Sequence, residues 1–401
     1  MVTRRRSSLG APILVAVSIF GLAACLRPAI TAVGPLVPEI NASTGLSYGE
    51  LGMLGSLPLL LFAIIAPFAA VALRRGGPAV VARWVALILV LGIVVRSVAG
   101  IPGLWLGTVL LAGAIAVGNV LVPVLVRRDY ARSAATASGV NAVVISGFAA
   151  LGSGLAIMFT DWTGDWRRTL LLWAIPPAVL AAVWFLRRDE RQDAGIGPEP
   201  PRTSQLRRPI AWAVTGFMGL QSLTFYLVIT WMPSIELSRG VSPEDAAFHL
   251  LVYQLFGAPF GLVYGWFLQR TGRYVLITVL TSVPVLIGAV GLLATDGSAL
   301  PWLAIAAPGS AGALSVALLL MAYHASDARE AAGLSAMANS GGYLLAATGP
   351  FTAGLLHEWT GSWTSALVLL VVASAVQVVV AALAARPSRR TAAVAAQVPS
   401  N

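Results

Sequence analysis

The sequence is poor in residues that carry charge or form disulfides. Among 401 residues it has no lysine, one cysteine (Cys25) and three histidines, and only 10% of its residues are charged. A lone cysteine excludes a disulfide framework, and Cys25 lies in an apolar run that favours a small buried side chain. In soluble domains about a quarter of all residues are charged. The composition therefore excludes an ordinary soluble protein.

Long apolar segments dominate instead, and hydrophobic residues make up 58% of the chain. A membrane-spanning helix needs about 20 apolar residues. With so few charges, each segment must satisfy its own backbone polar groups, so helices are expected rather than an open sheet. The sequence predicts an all-α polytopic membrane protein. The twelve predicted spans are 11–33, 49–72, 79–99, 103–126, 136–160, 168–187, 210–234, 246–268, 274–294, 300–323, 332–356 and 363–385.

The net charge of +10 comes entirely from 26 arginines. They cluster between the apolar segments, which indicates membrane topology rather than nucleic-acid binding. Most fall on the side that holds both termini, so both termini are predicted to be cytoplasmic. Arg4, Arg5 and Arg6 precede an apolar run too long for a signal peptide, so a retained first helix is expected. Abundant alanine and arginine indicate a bacterial source and hence the plasma membrane.

A hydrophilic linker divides the twelve segments six and six. The predicted organisation is a cytoplasmic N-terminus (1–10), a first half (11–187), a linker (188–209), a second half (210–385) and a cytoplasmic tail (386–401). An offset of 197 carries Asp161-Trp162-Thr163-Gly164 onto Glu358-Trp359-Thr360-Gly361. We interpret this as a duplication that produced two halves of the same orientation around a central pathway.

Arg27 is the residue that most needs an explanation. It lies in the first apolar segment, where a charged side chain costs about 2.5–3.5 kcal/mol and usually faces a polar cavity. No Asp or Glu lies in the interior of any predicted span to neutralise it. Arg27 is therefore predicted to bind substrate, or alternatively to cap backbone carbonyls near Pro28. Pro28 and Pro35 remove backbone donors and are expected to bend this helix as hinges.

Several motifs support a family resemblance. The pattern Gly265-x-x-x-Gln269-Arg270-x-Gly272-Arg273 and the six-plus-six arrangement resemble the major facilitator superfamily, although Gln269 stands where that signature has an acidic residue. Leu26-Arg27-Pro28-Ala29-Ile30 and Trp359-Thr360-Gly361-Ser362-Trp363 resemble its cyanate and 2-nitroimidazole transporter family. The resemblance implies two six-helix halves around a central cavity that opens to each side in turn. It assigns gating to Gly265, Gln269, Arg270, Gly272 and Arg273.

Uncharged polar residues within the spans supply further candidates. Gln221 and Tyr226 lie in the seventh span, which the repeat pairs with the span of Arg27, and both can hydrogen-bond an anion or azole. Asn119, Asn339 and Tyr343 are further candidates for substrate binding, and Asn141 is a candidate gate residue. Hydrogen bonding between helices is the alternative for each of them.

The ionisable residues argue against chemistry within the membrane. His249, His324 and His357 are expected at solvated helix ends, and Glu236 and other acids are expected at helix ends or loops. No catalytic residues, metal cluster or nucleotide-binding loop can be assembled from the spans, so an enzyme is disfavoured and no cofactor is expected. Proton coupling has no obvious carrier.

The leading hypothesis is a secondary active or facilitative transporter of a small anionic or strongly polar solute, such as cyanate. Its expected partners are that solute and the lipid bilayer, without nucleic acid, and a monomer is expected. The alternatives are efflux of a neutral nitroimidazole-like aromatic compound, or a membrane receptor or scaffold without transport. A cationic solute fits worst beside an unpaired arginine.

Overall fold

The computed structural model describes residues 10–187 and 205–387. The predicted N-terminus, most of the linker and most of the tail lie outside these ranges. The first range forms α1 (Gly10–Cys25), α2 (Pro28–Thr31), α3 (Val33–Thr44), α4 (Tyr48–Gly76), α5 (Pro78–Val98), α6 (Gly100–Asp129), α7 (Ala134–Gly154), α8 (Ala156–Thr163), α9 (Trp166–Leu172) and α10 (Ile175–Leu186). The second forms α11 (Pro209–Ser238), α12 (Pro243–Thr271), α13 (Tyr274–Ala294), α14 (Leu300–Tyr323), α15 (Ala328–Thr360) and α16 (Thr364–Ala384).

The helices agree with an all-α polytopic fold. Within the described ranges, eleven helical stretches are long and apolar enough to cross a membrane. The predicted span 332–356 lies in α15, which is not among them because its five glycines and its Ser and Thr residues lower its hydropathy. This helix packs against α4 and α11. Its more polar composition therefore suits a helix that contacts other helices rather than lipid.

The first predicted span is broken where its prolines lie. It forms α1, α2 and α3 and extends to Thr44 rather than ending at residue 33. Pro28 starts α2, because a residue without an N–H is tolerated in a first helical turn. The hydroxyl of Thr31 donates to the carbonyl of Ala149 over 2.7 Å, which attaches α2 to α7. Arg27 therefore stands at the junction between α1 and α2.

The two copies of the repeated turn adopt the same local structure. Gly164 and Gly361 end α8 and α15 with φ of 71° and 66°, in the left-handed region that favours glycine. The preceding threonines donate to carbonyls four residues earlier, Thr163 to Phe159 and Thr360 to Leu356. The sequence repeat thus marks equivalent helix ends in the two described ranges.

Two faces of the bundle follow from the helix order. We call the face at which the described ranges begin and end the terminal face. We call the opposite face, which carries the turns at Gly45, Gly164, Gly240 and Gly361, the distal face. The helices of residues 10–187 and those of residues 205–387 pack together through α4 with α15, α7 with α12 and α3 with α11.

The prediction of solvated histidines is wrong for His249 and His324, which are only 6% and 3% exposed. His249 Nδ1 lies 2.6 Å from a carboxylate oxygen of Glu236, and His324 Nε2 lies 2.8 Å from the carbonyl oxygen of Ala384. Glu236 is fully buried as well. The prediction failed because helix ends near both faces remain covered by neighbouring helices, so position along a helix does not determine exposure.

Candidate functional site

Arg27 reaches across the interface between the two described ranges. The break between α1 and α2 frees it from regular helical packing, and its Nη1 donates to the hydroxyl of Tyr226 on α11 over 2.6 Å. The hydroxyl of Tyr343 on α15 lies beside the same guanidinium. Both partners are neutral, and none of the ion pairs found among the described residues involves Arg27. Its positive charge is uncompensated.

Aromatic rings surround this charge. The Cζ of Arg27 lies 6.0 Å from the ring centroid of Phe62 on α4, within the range of a cation–π contact. Phe62 packs edge-on against Tyr343 at 5.5 Å, and Phe225 packs edge-on against Tyr226 at 5.3 Å. The site combines one arginine with flat apolar walls and phenolic hydroxyls. This combination suits a small planar solute with a negatively charged or strongly accepting group.

Gln221 lies elsewhere, although it is on the same helix as Tyr226. It is 3% exposed, and its Nε2 donates to the hydroxyl of Ser222 and the carbonyl of Met218. Nearby, the hydroxyl of Thr224 donates to Gln377 on α16 over 3.2 Å. These contacts are the interhelical and local hydrogen bonds that the sequence left open as the alternative.

The three candidate asparagines occupy three different helices. Gly118 packs against Leu26, which brings the half-buried Asn119 on α6 near the chain at Arg27. Asn339 is one helical turn from Tyr343 on α15, and its amide donates to the carbonyl of Ser335 over 2.8 Å. Asn141 on α7 has a buried side-chain oxygen without a hydrogen-bond partner among the described residues. No contact joins Asn141 to Arg27.

The segment that resembles the superfamily signature lies at the terminal face. Gly272 ends α12 with φ of 61°, and the side chains of Gln269, Arg270 and Arg273 are exposed. Arg270 stacks on Trp266 with its Cζ 5.4 Å from the ring centroid. Gly265, about two turns before the end of the helix, is buried, and a Cβ built there would have only Leu319 within contact distance. The segment is well separated in sequence and structure from the Arg27 site.

A second arginine, Arg96 on α5, supports the broken first span. Its side chain is only 2% exposed. Its Nη1 donates to the carbonyl of Ala29 in α2 over 2.6 Å. Arg96 therefore caps a carbonyl beside the break between α2 and α3. In this chain the capping role foreseen as an alternative for Arg27 belongs to Arg96.

The contacts between the two described ranges concentrate toward the distal face. The hydroxyl of Ser56 on α4 donates to the carbonyl of Ala347 over 2.6 Å and accepts the N–H of Phe351 over 3.1 Å, beside the kink that Pro350 introduces in α15. A Cβ on Gly34 of α3 would lie 2.1 Å from the carbonyl oxygen of Ile229 on α11. We call these contacts of Gly34 and Ser56 the distal gate, and it is closed.

We expect the substitution Ser56→Ala to weaken the distal gate moderately. It removes two hydrogen bonds across the gate, but Phe351 and Ala347 can then bond to each other within α15, so the loss is about 1 kcal/mol, or about fivefold in the open-to-closed ratio. Spin labels on the variant pair Ala42→Cys and Ser238→Cys measure this ratio by pulsed electron paramagnetic resonance. Both positions are exposed, at the ends of α3 and α11 on opposite sides of the gate, and Cys25 is buried. An unchanged distance distribution would contradict the assignment.

Sequence reasoning missed Phe62, Ser56 and the capping role of Arg96. Phe62 is one phenylalanine in an apolar helix and carries no local signal. Ser56 follows a glycine and precedes Leu57-Pro58, a pattern that is equally ordinary in membrane helices. Arg96 could have been found by the reasoning applied to Arg27, since it too lies within a long apolar stretch.

Comparison with known proteins agrees with this architecture. The family model described as Major Facilitator Superfamily matches residues 19–350. The 2-nitroimidazole transporter of Escherichia coli (strain K12) is 34% identical over 88% of this chain and 90% of its own length. The Cyanate transport protein CynX of the same organism is 23% identical over 84% of this chain and 88% of its own.

Solved structures share the fold. A bacterial homologue of the human lysosomal transporter Spinster, in an inward-facing and occupied conformation, superposes with a TM-score of 0.75 at 18% identity, covering 95% of this chain and 98% of that one. The expected fold, the family resemblance and the expectation that the chain is not an enzyme are confirmed. This multi-pass membrane protein, a transporter of small molecules, belongs to the Major Facilitator Superfamily.

Proposed function

We propose that this transporter moves a small planar solute that presents negatively charged or strongly accepting atoms to Arg27. The observation that carries the proposal is that the Arg27 guanidinium hydrogen-bonds only neutral phenols among the described residues. Arg27 is partly buried, and a cation in such a place without a carboxylate is stabilised by an anionic ligand, because charge-assisted hydrogen bonds are roughly twice as strong as neutral ones. Phe62 and Tyr343 offer flat walls to the rest of the solute.

The proposed cycle uses alternating access, in which the two halves rock around the Arg27 site. In the structure the distal gate is closed. The hydrogen bonds that Gly49, Ser56 and Ser153 make between the two described ranges all lie toward the distal face, which supports an opening toward the terminal face. We place the terminal face in the cytoplasm of a bacterial cell, with the protein in the plasma membrane as a monomer. Pro28 and Pro35 would serve as hinges, and Asn119, Asn339 and Gln221 would contact solute in other states of the cycle.

A second candidate function is transport of a neutral nitroimidazole-like compound. The aromatic walls around Arg27 favour it, since a nitro group offers strong acceptor oxygens to a guanidinium and its ring can stack on Phe62. The relative that is 34% identical is named a 2-nitroimidazole transporter. The two candidates differ in whether the solute must carry a full negative charge.

The rise in melting temperature of the purified full-length protein on adding a solute distinguishes anionic solutes from neutral ones. Benzoate and benzamide match in shape but differ in charge, and we expect benzoate to bind at least about tenfold more tightly, because a charge-assisted hydrogen bond contributes about 1.4 kcal/mol more. Equal stabilisation by benzamide, or stabilisation by benzamidine, would overturn the anion proposal. Stabilisation by 2-nitroimidazole without any by benzoate would establish the second candidate.

A further inference from the structure

Glu236 is a carboxylate completely buried in a membrane helix, away from the Arg27 site. One oxygen, Oε1, accepts the N–H of Ala299 over 2.8 Å and lies 2.6 Å from Nδ1 of His249. The other oxygen, Oε2, is buried and has no hydrogen-bond partner among the described residues. A proton added to Oε2 would therefore displace no existing hydrogen bond.

We propose that Glu236 and His249 form a proton-binding site that sets the state of the distal gate. The binding step is the addition of one proton from solvent to the carboxylate, which becomes a carboxylic acid without any redox change. The two groups are only 2.6 Å apart, so a change in the charge of Glu236 acts directly on its contact with His249. The ligand of this second site is the hydrogen ion, and the proposal is independent of which solute binds Arg27.

The pair is connected to the distal gate through α11. Ile229, whose carbonyl meets Gly34, lies two turns before Glu236 on this helix. Glu236 holds the end of the helix to α12 through His249 and to the start of α14 through Ala299. The opposite side of α11 carries Ser234 and Ser238, which line a cavity of about 530 Å³ shared with Pro38 of α3. Weakening the pair would release the gate-forming end of α11.

The same elements also link the pair to the Arg27 site. Tyr253 lies one turn after His249 on α12, and its hydroxyl donates to Ser310 on α14 over 2.8 Å. The Tyr253 ring stacks on Phe225 at 6.1 Å, and Phe225 contacts Tyr226, the partner of Arg27. A movement of α12 at His249 is therefore transmitted through packed rings to the solute site.

Other charged groups on the surrounding elements are already engaged or exposed. On α11 itself, Arg239 donates to the carbonyls of Thr295 and Leu292. Glu244 and Asp245 on α12 and Asp296 before α14 are exposed, and Glu39 on α3 and Asp161 on α8 are like charges near each other. On α15, Glu358 is exposed, and His357 lies along the cavity on the opposite side of α11, stacked on Trp363 with the ring centroids 3.8 Å apart. None of them replaces His249 as the near partner of Glu236.

A purely structural role is the competing explanation, since Glu236 also ties three helices together. Glu236→Gln separates the two roles because its amide oxygen can accept both existing hydrogen bonds but cannot titrate. Glu244→Gln is the matched control. Glu244 is an exposed carboxylate at the same face, in the first turn of the helix that carries His249.

The test measures the distance between spin labels in the Ala42→Cys and Ser238→Cys pair at pH 8 and pH 5, with no solute present. We expect acidification to raise the open-to-closed ratio at least tenfold in the parent and in Glu244→Gln, and less than twofold in Glu236→Gln. His249→Gln provides a second variant if Glu236→Gln does not fold, with the same loss of response. A parent that does not respond to pH, or a Glu236→Gln variant that responds like the parent, would overturn the proposal. Because no solute is used, this result does not depend on the proposed substrate.

Discussion

Replacing Arg27 with glutamine is expected to abolish stabilisation by benzoate, with a loss of affinity of about 100-fold or more. The variant Arg27→Gln keeps a donor for Tyr226 but loses the positive charge and the charge-assisted hydrogen bonds to the solute, which contribute about 1.5–3 kcal/mol each. Arg27→Lys should retain an intermediate affinity, because an ammonium preserves the charge but not the planar donor geometry. The measurement is the benzoate-dependent shift in melting temperature of each purified variant.

The melting temperature without solute distinguishes a binding role from a structural one. Removing a partly buried charge that has no ion-pair partner relieves a desolvation cost, so Arg27→Gln should melt at the parental temperature or above it. Arg83→Gln is the matched control, since Arg83 donates to the carbonyls of Trp184 and Arg187 and joins two helices. We expect that control to melt lower and still bind benzoate. The reverse pattern, with Arg27→Gln destabilised and still responsive, would show that Arg27 is structural.

Adding one methyl group at Gly34 is expected to prevent the distal gate from closing. The new Cβ in Gly34→Ala would lie 2.1 Å from the carbonyl oxygen of Ile229, well inside van der Waals contact, and the obstructing atom belongs to the backbone of α11. Neither helix can move aside by rotating a side chain, so α3 and α11 must separate. The conformation with a closed distal gate would be inaccessible to the variant. Solute counterflow in proteoliposomes should therefore fall at least about tenfold, a free-energy difference of about 1.4 kcal/mol.

The gate variant has a close control in the same protein. Gly147 lies in the interior of α7, and a Cβ built there has no other atom within 4 Å, so Gly147→Ala should transport like the parent. The Ala42→Cys and Ser238→Cys spin pair should report a longer distance in Gly34→Ala and an unchanged one in Gly147→Ala. Parental distances in both variants would mean that the distal gate closes without the contact at Gly34.

The sequence was sufficient for the features that depend on local composition. Apolar segment lengths predicted the helices, and the break at Arg27-Pro28 followed from the absence of a proline N–H. The charge argument identified Arg27, and the repeat together with its hydrogen-bonding group identified Tyr226; the structure brings the two together at 2.6 Å. Except for the repeat, each signal lies within a few residues of the feature it predicts.

What could not be predicted depends on contacts between distant segments. The burial of His249 and Glu236 follows from neighbouring helices that cover the ends of α11 and α12, and these residues are 13 positions apart in the chain. Phe62 faces Arg27 only because α4 packs against α15. Gln221 and Tyr226 share a helix, but five residues rotate their directions apart by about 140°. The direction in which a side chain points across the bundle is set by packing that a single sequence does not reveal.

The repeated turn at Gly164 and Gly361 shows how two equivalent segments come to differ in what they do. The offset of 197 pairs Asp161 with Glu358, and only the longer side chain spans the two described ranges, where its carboxylate accepts the N–H of Gly49 over 2.9 Å. The carboxylate of Asp161, in the equivalent helix end, lies near Glu39 instead. Among the described residues, the turn at Gly361 therefore joins α15 to α4, whereas the carboxylate of the matching turn at Gly164 stays within its own range. Two turns of the same local structure thus hold the distal face together unequally.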